Sequence, residues 1–322
     1  MTTSVLKPRL VIHLQHPRVA CWSMTATQAE KLAVQLPEYC VKLCDDKSEF
    51  QAALPTAEIV ITWHFRQEWL SLAPKLKILA TPAAGKDYFT LQLPPQIQSW
   101  NGRFHGELIA ETAVGALLGM CRGLFSSVSH FAHQAWPQTE ISVQQTTLRN
   151  SRILILGFGR IGQWIGKQLK PFGARIEGMR RNLSLPPPDW FAPNDQIFSE
   201  SELDAKLPQT DHLILCLPRS LETDQILDRR RINLLPPNAT ISNFGRGNAI
   251  ATEALADALQ QQRLKGAFLD VFPEEPLPEE SPLRHCPKLW RLPHLSAVAP
   301  DYLDLFIQDF IRQYQEFQHP IP

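Results

Sequence analysis

Residues 151–182 read strand, glycine turn, helix, strand, and this order constrains the chain more than any other segment. Ile153-Leu154-Ile155-Leu156 is an unbroken apolar run of strand length, which suits a strand buried on both faces. GFGRIG follows, with glycines at 157, 159 and 162. Ile161, Ile165 and Leu169 then recur every fourth residue, a helical stripe that stops at Pro171 and Gly173, and Arg175 to Met179 reads as a second strand. Gly157 permits a tight turn, Gly159 lets the backbone approach a pyrophosphate, and Gly162 lets helix and strand pack closely. The anion would sit on the free N–H groups at the start of the helix, where the dipole favours negative charge. Phe158, Arg160 and Ile161 share the turn and join the glycines as candidate dinucleotide contacts. The alternative is a plain tight turn between strand and helix.

Lys+Arg and Asp+Glu both number 32, so no charge excess argues for nucleic acid or an anionic membrane. No apolar run reaches spanning length, and the opening MTTSVLKPRL has no signal-peptide apolar core, so a cytoplasmic protein is expected. Six scattered cysteines, of which only Cys40 and Cys44 lie close together, suggest reduced thiols. No metal site is expected: His130 and His133 share a helix without an acid or Cys at ligand spacing.

Leu10 to Leu14, Glu58 to Trp63, Leu76 to Thr81 and Gln96 to Trp100 read as strands, with a helix over Thr27 to Leu36. Strands separated by helical stretches imply a parallel sheet with crossover helices. One long helix is expected from Glu107 to about His133, apolar on too many sides to bury only one, bridging two domains. Beyond the glycine motif, Asp211 to Leu217, Ala239 to Asn243, Lys265 to Val271 and Leu289 to Leu292 read as strands, with an amphipathic helix over Thr252 to Arg263. A terminal helix from Asp301 to Phe317 is expected to pack back on the first unit. The α/β chain then has a discontinuous substrate domain, residues 1–106 and 296–322, and a dinucleotide-binding domain over 107–295. A ligand is expected in a cleft between them, outside the carboxyl ends of the strands.

Three ionisable residues follow strand ends: Arg246 in ISNFGRG, Glu275 in LDVFPEEPLP and His294 in RLPHLSA. Loops after consecutive parallel strands converge on one sheet edge, so these three suit hydride transfer to a carbonyl. Arg can hold a carboxylate with its planar fork, and His can give or take a proton under a carboxylate's influence. Each also has a structural reading, as a turn residue, a loop acid or a packed imidazole.

GFGRIG, ISNFGRG, LDVFPEEPLP and PHLSA, in this order, resemble the signatures of the D-isomer-specific 2-hydroxyacid dehydrogenase family. The resemblance covers most of residues 80 to 300. It implies a Rossmann-type dinucleotide-binding domain inserted in a flavodoxin-like substrate domain, a nicotinamide cofactor and a homodimer. It implies that Arg246 binds substrate, that Glu275 supports a catalytic His294, and that Ala84 and Gly85 meet the substrate carboxylate through backbone amides. Asp270 is implied to contact the nicotinamide amide, and Cys216, Leu217, Pro218, Asn243 and Phe244 to line the cofactor. The family's acid at the end of the second nucleotide-domain strand is absent; Arg180 and Arg181 stand there, two cations suited to the 2′-phosphate of NADP. The turn reads AAGKD where GAGVD or GTGVD is usual, and no appended regulatory domain of the kind some phosphoglycerate dehydrogenases carry is expected. Trp63-His64 resembles the glyoxylate/hydroxypyruvate reductase branch, although core packing would also explain Trp63.

The expected activity is NADPH-dependent reduction of small 2-keto acids of the glyoxylate and hydroxypyruvate type, with NAD as the alternative cofactor. D-lactate and phosphoglycerate types are alternatives within the class, and a dinucleotide-sensing interaction protein is the alternative outside it. Neither nucleic acid nor membrane is an expected partner.

Overall fold

The computed structural model describes residues 7–85 and 87–319; the opening residues read for a signal peptide lie partly outside them. The chain divides into two compact units, residues 1–105 with 298–322, and residues 106–297.

The first unit is a five-stranded parallel sheet with crossover helices. Its elements are β1 (Arg9–His13), α1 (Ala26–Gln35), β2 (Cys40–Leu43), α2 (Lys47–Ala53), β3 (Ala57–Thr62), β4 (Ile78–Thr81) and β5 (Gln98–Asn101). The sheet order is β2-β1-β3-β4-β5, a doubly wound arrangement that reverses direction at β1. Local chemistry starts the helices. Thr25 and Gln28 form a reciprocal capping box at α1, and Asp46 accepts from the Glu49 amide at α2. β3 and β4 are almost wholly buried, as their apolar runs require.

The second unit begins with α3 (His105–Cys121, from Gly106 onward), α4 (Leu124–Phe131) and α5 (Gln138–Ser142). Then follow β6 (Arg152–Leu156), α6 (Arg160–Leu169), β7 (Arg175–Met179), β8 (Gln196–Phe198), α7 (Leu203–Lys206) and β9 (His212–Leu215). It closes with α8 (Arg229–Leu234), β10 (Thr240–Asn243), α9 (Thr252–Gln260), β11 (Gly266–Leu269) and β12 (Leu289–Arg291). The seven parallel strands run β12-β11-β10-β9-β6-β7-β8, reversing at β6, where the glycine turn lies. The last helix, α10 (Tyr302–Gln318), packs on α1 in the first unit.

The single long helix expected over 107–133 is two helices, α3 and α4, bent by 54°. Gly123 between them takes a left-handed φ of +70°, which breaks the α-helical ladder. Hydrophobic periodicity carries through the bend, so it could not reveal it. Among the described residues no single helix is long and apolar enough to cross a membrane. The bent pair passes on length and composition alone, and α3 buries Ile109, Ala113, Leu117 and Cys121 in the core of its own unit.

Glu177 sits at 2% exposure in the middle of β7, ion-paired to Arg152 (2.9 Å), Arg175 (3.0 Å) and Lys206 (2.9 Å). Burial alone would raise its pKa, but the cations hold it below the ordinary carboxylate value. A group depressed in the folded state contributes stability at neutral pH that is lost as pH falls through its folded pKa. Glu177→Gln is expected to cost about 3 kcal/mol, because three partly buried cations lose their counter-charge. Urea unfolding at pH 7 checks it, and the gap between wild type and variant should narrow below pH 4.5.

Candidate active site

β6 ends at Leu156 and the chain turns at Gly157, whose φ is +89°. A Cβ there would lie 2.6 Å from the Cys216 carbonyl oxygen, and one at Gly162 would lie 2.5 Å from the Gly157 carbonyl oxygen. Both positions therefore admit only glycine without a backbone shift. At Gly159 a Cβ would meet nothing within 4 Å, leaving open space at the start of α6 beside its unsatisfied first N–H groups. A cradle of this shape fits the pyrophosphate of a dinucleotide. Phe158 turns the other way: it is 1% exposed, its amide donates to the Met179 carbonyl (2.8 Å), and its ring packs over Gly178. Arg160 is exposed, and Ile161 packs partly on the core.

The neighbouring strand ends are tied by hydrogen bonds. The Cys216 amide donates to the Leu156 carbonyl (2.8 Å), and burial pushes the Cys216 thiol pKa up. Leu217 is buried, and the Pro218 carbonyl accepts from Thr223 Oγ1 (2.7 Å). Asn243 closes the turn that carries Arg246. Its Oδ1 accepts from the Gly245 amide and its Nδ2 donates to the Arg246 carbonyl, each at 3.0 Å. Phe244 is buried and stacks on Phe268 with ring centres 5.7 Å apart.

Arg246, Glu275 and His294 come together in this unit. His294 Nδ1 donates to Glu275 Oε2 (2.7 Å), while Glu275 Oε1 accepts from the Phe272 amide (2.9 Å). A carboxylate on Nδ1 leaves Nε2 as the nitrogen that can face a ligand, and the imidazole is half-exposed. The hydrogen bond to Glu275 raises the His294 pKa above its ordinary value, against the opposing effect of burial. For Glu275, burial pulls the pKa up, yet the bonds from His294 and the Phe272 amide bring it below the usual value. The Arg246 charge lies near enough to lower both, and its Nη1 donates to the Gly245 carbonyl (3.0 Å).

His294 itself has a left-handed φ of +56°. Asp270, at the end of β11 and 1% exposed, holds that bend. Its carbonyl accepts from the His294 amide (2.8 Å), and Oδ1 accepts from the amides of Leu295 (2.9 Å) and Ser296 (3.1 Å). The Ser296 hydroxyl donates to Oδ2. Burial raises the Asp270 pKa, opposed by these bonds. Ser296 escapes sequence reasoning; only its place two residues beyond His294 hinted at it.

Arg180 follows β7 directly, but its Nη2 donates to the carbonyls of Leu185 and Pro186, at 3.2 Å for the latter. It borders a cavity of about 490 Å³ with Leu185, Phe191 and Ile197. Arg181 is exposed. The Ser220 hydroxyl and its own amide hold the Glu222 pKa low, and Arg181 adds to that effect, so an acid from a loop distant in sequence faces it.

In the first unit, Ala84 and Gly85 follow β4. Ala84 is exposed, and the Gly85 carbonyl accepts from Asn101 Nδ2 (2.7 Å) and the Tyr88 amide (3.1 Å). Trp63 is buried and donates through Nε1 to the Trp22 carbonyl (2.7 Å); His64 is exposed. Lys86 of the same turn lies outside the described residues. Among the described residues no three His, Cys, Asp or Glu side chains group as metal ligands.

A glycine cradle at the reversal point of a parallel sheet, with an Arg, a Glu and a His on the loops beyond, defines a dinucleotide-dependent oxidoreductase. The family model for the NAD binding domain of D-isomer specific 2-hydroxyacid dehydrogenases matches residues 114–296. Over 258 residues the chain is 29% identical to glyoxylate/hydroxypyruvate reductase B of Pectobacterium carotovorum, covering 77% of this chain and 78% of that protein. It is 30% identical over 260 residues to glyoxylate/hydroxypyruvate reductase A of Citrobacter koseri, covering 77% and 80%. The crystal structure of a D-isomer specific 2-hydroxyacid dehydrogenase family protein from Aeromonas salmonicida superposes with a TM-score of 0.81 at 31% identity, over 98% of this chain and 97% of that one. The chain belongs to the D-isomer specific 2-hydroxyacid dehydrogenase family.

Proposed function

We propose that the protein reduces small 2-keto acids of the glyoxylate and hydroxypyruvate type to D-2-hydroxy acids, with NADPH as the preferred cofactor. The observation that carries the reading is the His294–Glu275 pair at 2.7 Å beside Arg246. When bound at the glycine cradle, a reduced nicotinamide would supply the hydride. Arg246 holds the substrate carboxylate and polarises the carbonyl. His294 donates a proton from Nε2 to the developing alkoxide, and Glu275 keeps the ring oriented and charged. Asp270, expected to meet the nicotinamide amide, also fixes the loop that carries His294. Ala84 and Gly85 receive the substrate carboxylate through their amides.

The protonated His294 is the competent form, and its pKa lies above the ordinary 6.5, so reduction is expected to hold through neutral pH and fail as pH rises past the raised value. Glu275→Gln removes the stabilising charge and should move that failure to lower pH; an identical profile would count against the pair. His294→Asn, chosen because Asn tolerates a left-handed φ, is expected to cost about 10²–10⁴ in kcat while cofactor binding persists.

The NADPH preference rests on the absence of an acid at the end of β7 and on the exposed Arg181. Arg180 supports the loop beneath through the carbonyls of Leu185 and Pro186, which leaves Arg181 as the leading phosphate partner. A charge-assisted hydrogen bond contributes on the order of 1.5–3 kcal/mol before solvent screening, so at least tenfold in kcat/KM is expected for NADPH over NADH. Arg181→Ala should erase most of this ratio, and a wild type that favours NADH would refute the assignment.

A homodimer completes the reading. Leu124, Val128, Phe131, Trp136 and Val143 on and beside α4 and α5 are each more than half exposed, and residues 123–139 contain no Asp, Glu, Lys or Arg. An uncharged apolar face offers no handle to an oppositely charged partner and suits a second copy of itself. Light scattering should give twice the chain mass of 36.5 kDa, and Val128→Glu should shift it toward the monomer.

A further inference from the structure

Three charged groups bear on the His294 imidazole, each from a different strand end. Glu275, on the connection from β11 to β12, and Asp270, at the end of β11, favour its protonated form, whereas Arg246, beyond β10, opposes it. The two carboxylates are held differently. Glu275 bonds the ring directly and is partly exposed. Asp270 is 1% exposed and bonds only the segment from His294 to Ser296, so its influence on the ring depends on its staying ionised in a buried place. Burial raises its pKa, and a carboxyl taken out of water in this way protonates unless donors hold its charge.

The donors divide unevenly between its oxygens. The amides of Leu295 (2.9 Å) and Ser296 (3.1 Å) both serve Oδ1. Among the described residues Oδ2 has one donor, the Ser296 hydroxyl. The amides would remain with almost any residue at 296, so the hydroxyl is the part of this cage that a side chain encodes. Ser296 is 5% exposed, which leaves bulk water little access to take over its role. Its carbonyl accepts from Thr112 Oγ1 on α3 (2.9 Å), so the residue is anchored to a helix on one side and to the strand-end carboxylate on the other.

We propose that Ser296 is a positioning residue for the proton transfer: its hydroxyl holds Asp270 as the anion that keeps His294 protonated, and Thr112 fixes the direction of that hydroxyl. The inference goes beyond the reading above and rests on it only in taking His294 as the proton donor. Without the hydroxyl, Oδ2 is left in a buried site with no donor, and Asp270 takes up a proton within the working pH range. The imidazole then loses one of its two negative neighbours and releases its own proton more readily. Because the protonated ring is the competent form, reduction fails at a lower pH.

The test follows kcat for glyoxylate with NADPH from mildly acid to alkaline pH. Ser296→Ala is expected to move the pH at which reduction fails down by about one unit, so that kcat drops about tenfold above the limit and changes little below it. Ser296→Thr restores a hydroxyl and should return the limit to that of wild type. Thr112→Val, of nearly the same shape, loosens the segment while leaving both Asp270 oxygens served; it should lower kcat by a similar factor at every pH without moving the limit. An unmoved limit in Ser296→Ala, a Ser296→Thr that behaves like it, or an equal shift in Thr112→Val overturns the assignment. NMR of isotope-labelled histidine reads the same titration without turnover, with the His294 signal identified by its loss in His294→Asn. A lower His294 midpoint in Ser296→Ala sustains the role of Ser296 even if no 2-keto acid is reduced, in which case only the functional reading falls; equal midpoints sink it.

Discussion

A buried carboxylate organises the chemical end of the second unit. Asp270 is removed from water at the tip of β11, where an unpaired charge would be costly, and the chain meets that cost by wrapping the following segment around it. Three donors from Leu295 and Ser296 converge on its oxygens, and its own carbonyl receives the His294 amide. His294 is thereby bent into a conformation that imidazole-bearing residues seldom adopt, with φ at +56°. The ring's direction is thus imposed from behind by hydrogen-bond geometry, and Glu275 needs only to select its tautomer and charge.

The fold was legible where physics is local. Uninterrupted apolar runs announced β3, β4, β6 and β9, because a strand covered on both faces tolerates nothing else. The edge strands β2 and β8 went unread, since CVKL and QIF are short, partly exposed and lack a pattern that distinguishes them from loop. The bend between α3 and α4 was hidden for a different reason. Apolar residues continue through it, and only the backbone angle at Gly123, which composition does not encode, separates one helix from two.

The candidate site was legible to the extent that topology alone predicts convergence. Loops after successive parallel strands must share an edge, so Arg246, Glu275 and His294 could be grouped before any coordinates. What remained hidden was each side chain's direction. Phe158 reads as a neighbour of the dinucleotide, yet it plugs the space over Gly178 behind the turn. Asn243 reads the same way, yet it laces its own turn closed. Arg180 leans into the Leu185 and Pro186 carbonyls, a choice made by loop geometry that strand position could not foretell.

The ion cluster around Glu177 has a bearing on how such a protein tolerates change. Arg152 and Arg175 open β6 and β7, so the cluster belongs to the amino half of the sheet, whereas the glycine cradle and His294 belong to the carboxyl edge. Glu177 itself stands at the middle of β7, two residues before Met179, whose carbonyl receives the amides of Gly157 and Phe158 in the glycine turn. At roughly 3.3 Å per residue that is a distance over which substitutions usually couple. The strand braced by the cluster is therefore the strand on which the cradle hangs, so changes around the ligand and changes in the cluster draw on one shared reserve of stability.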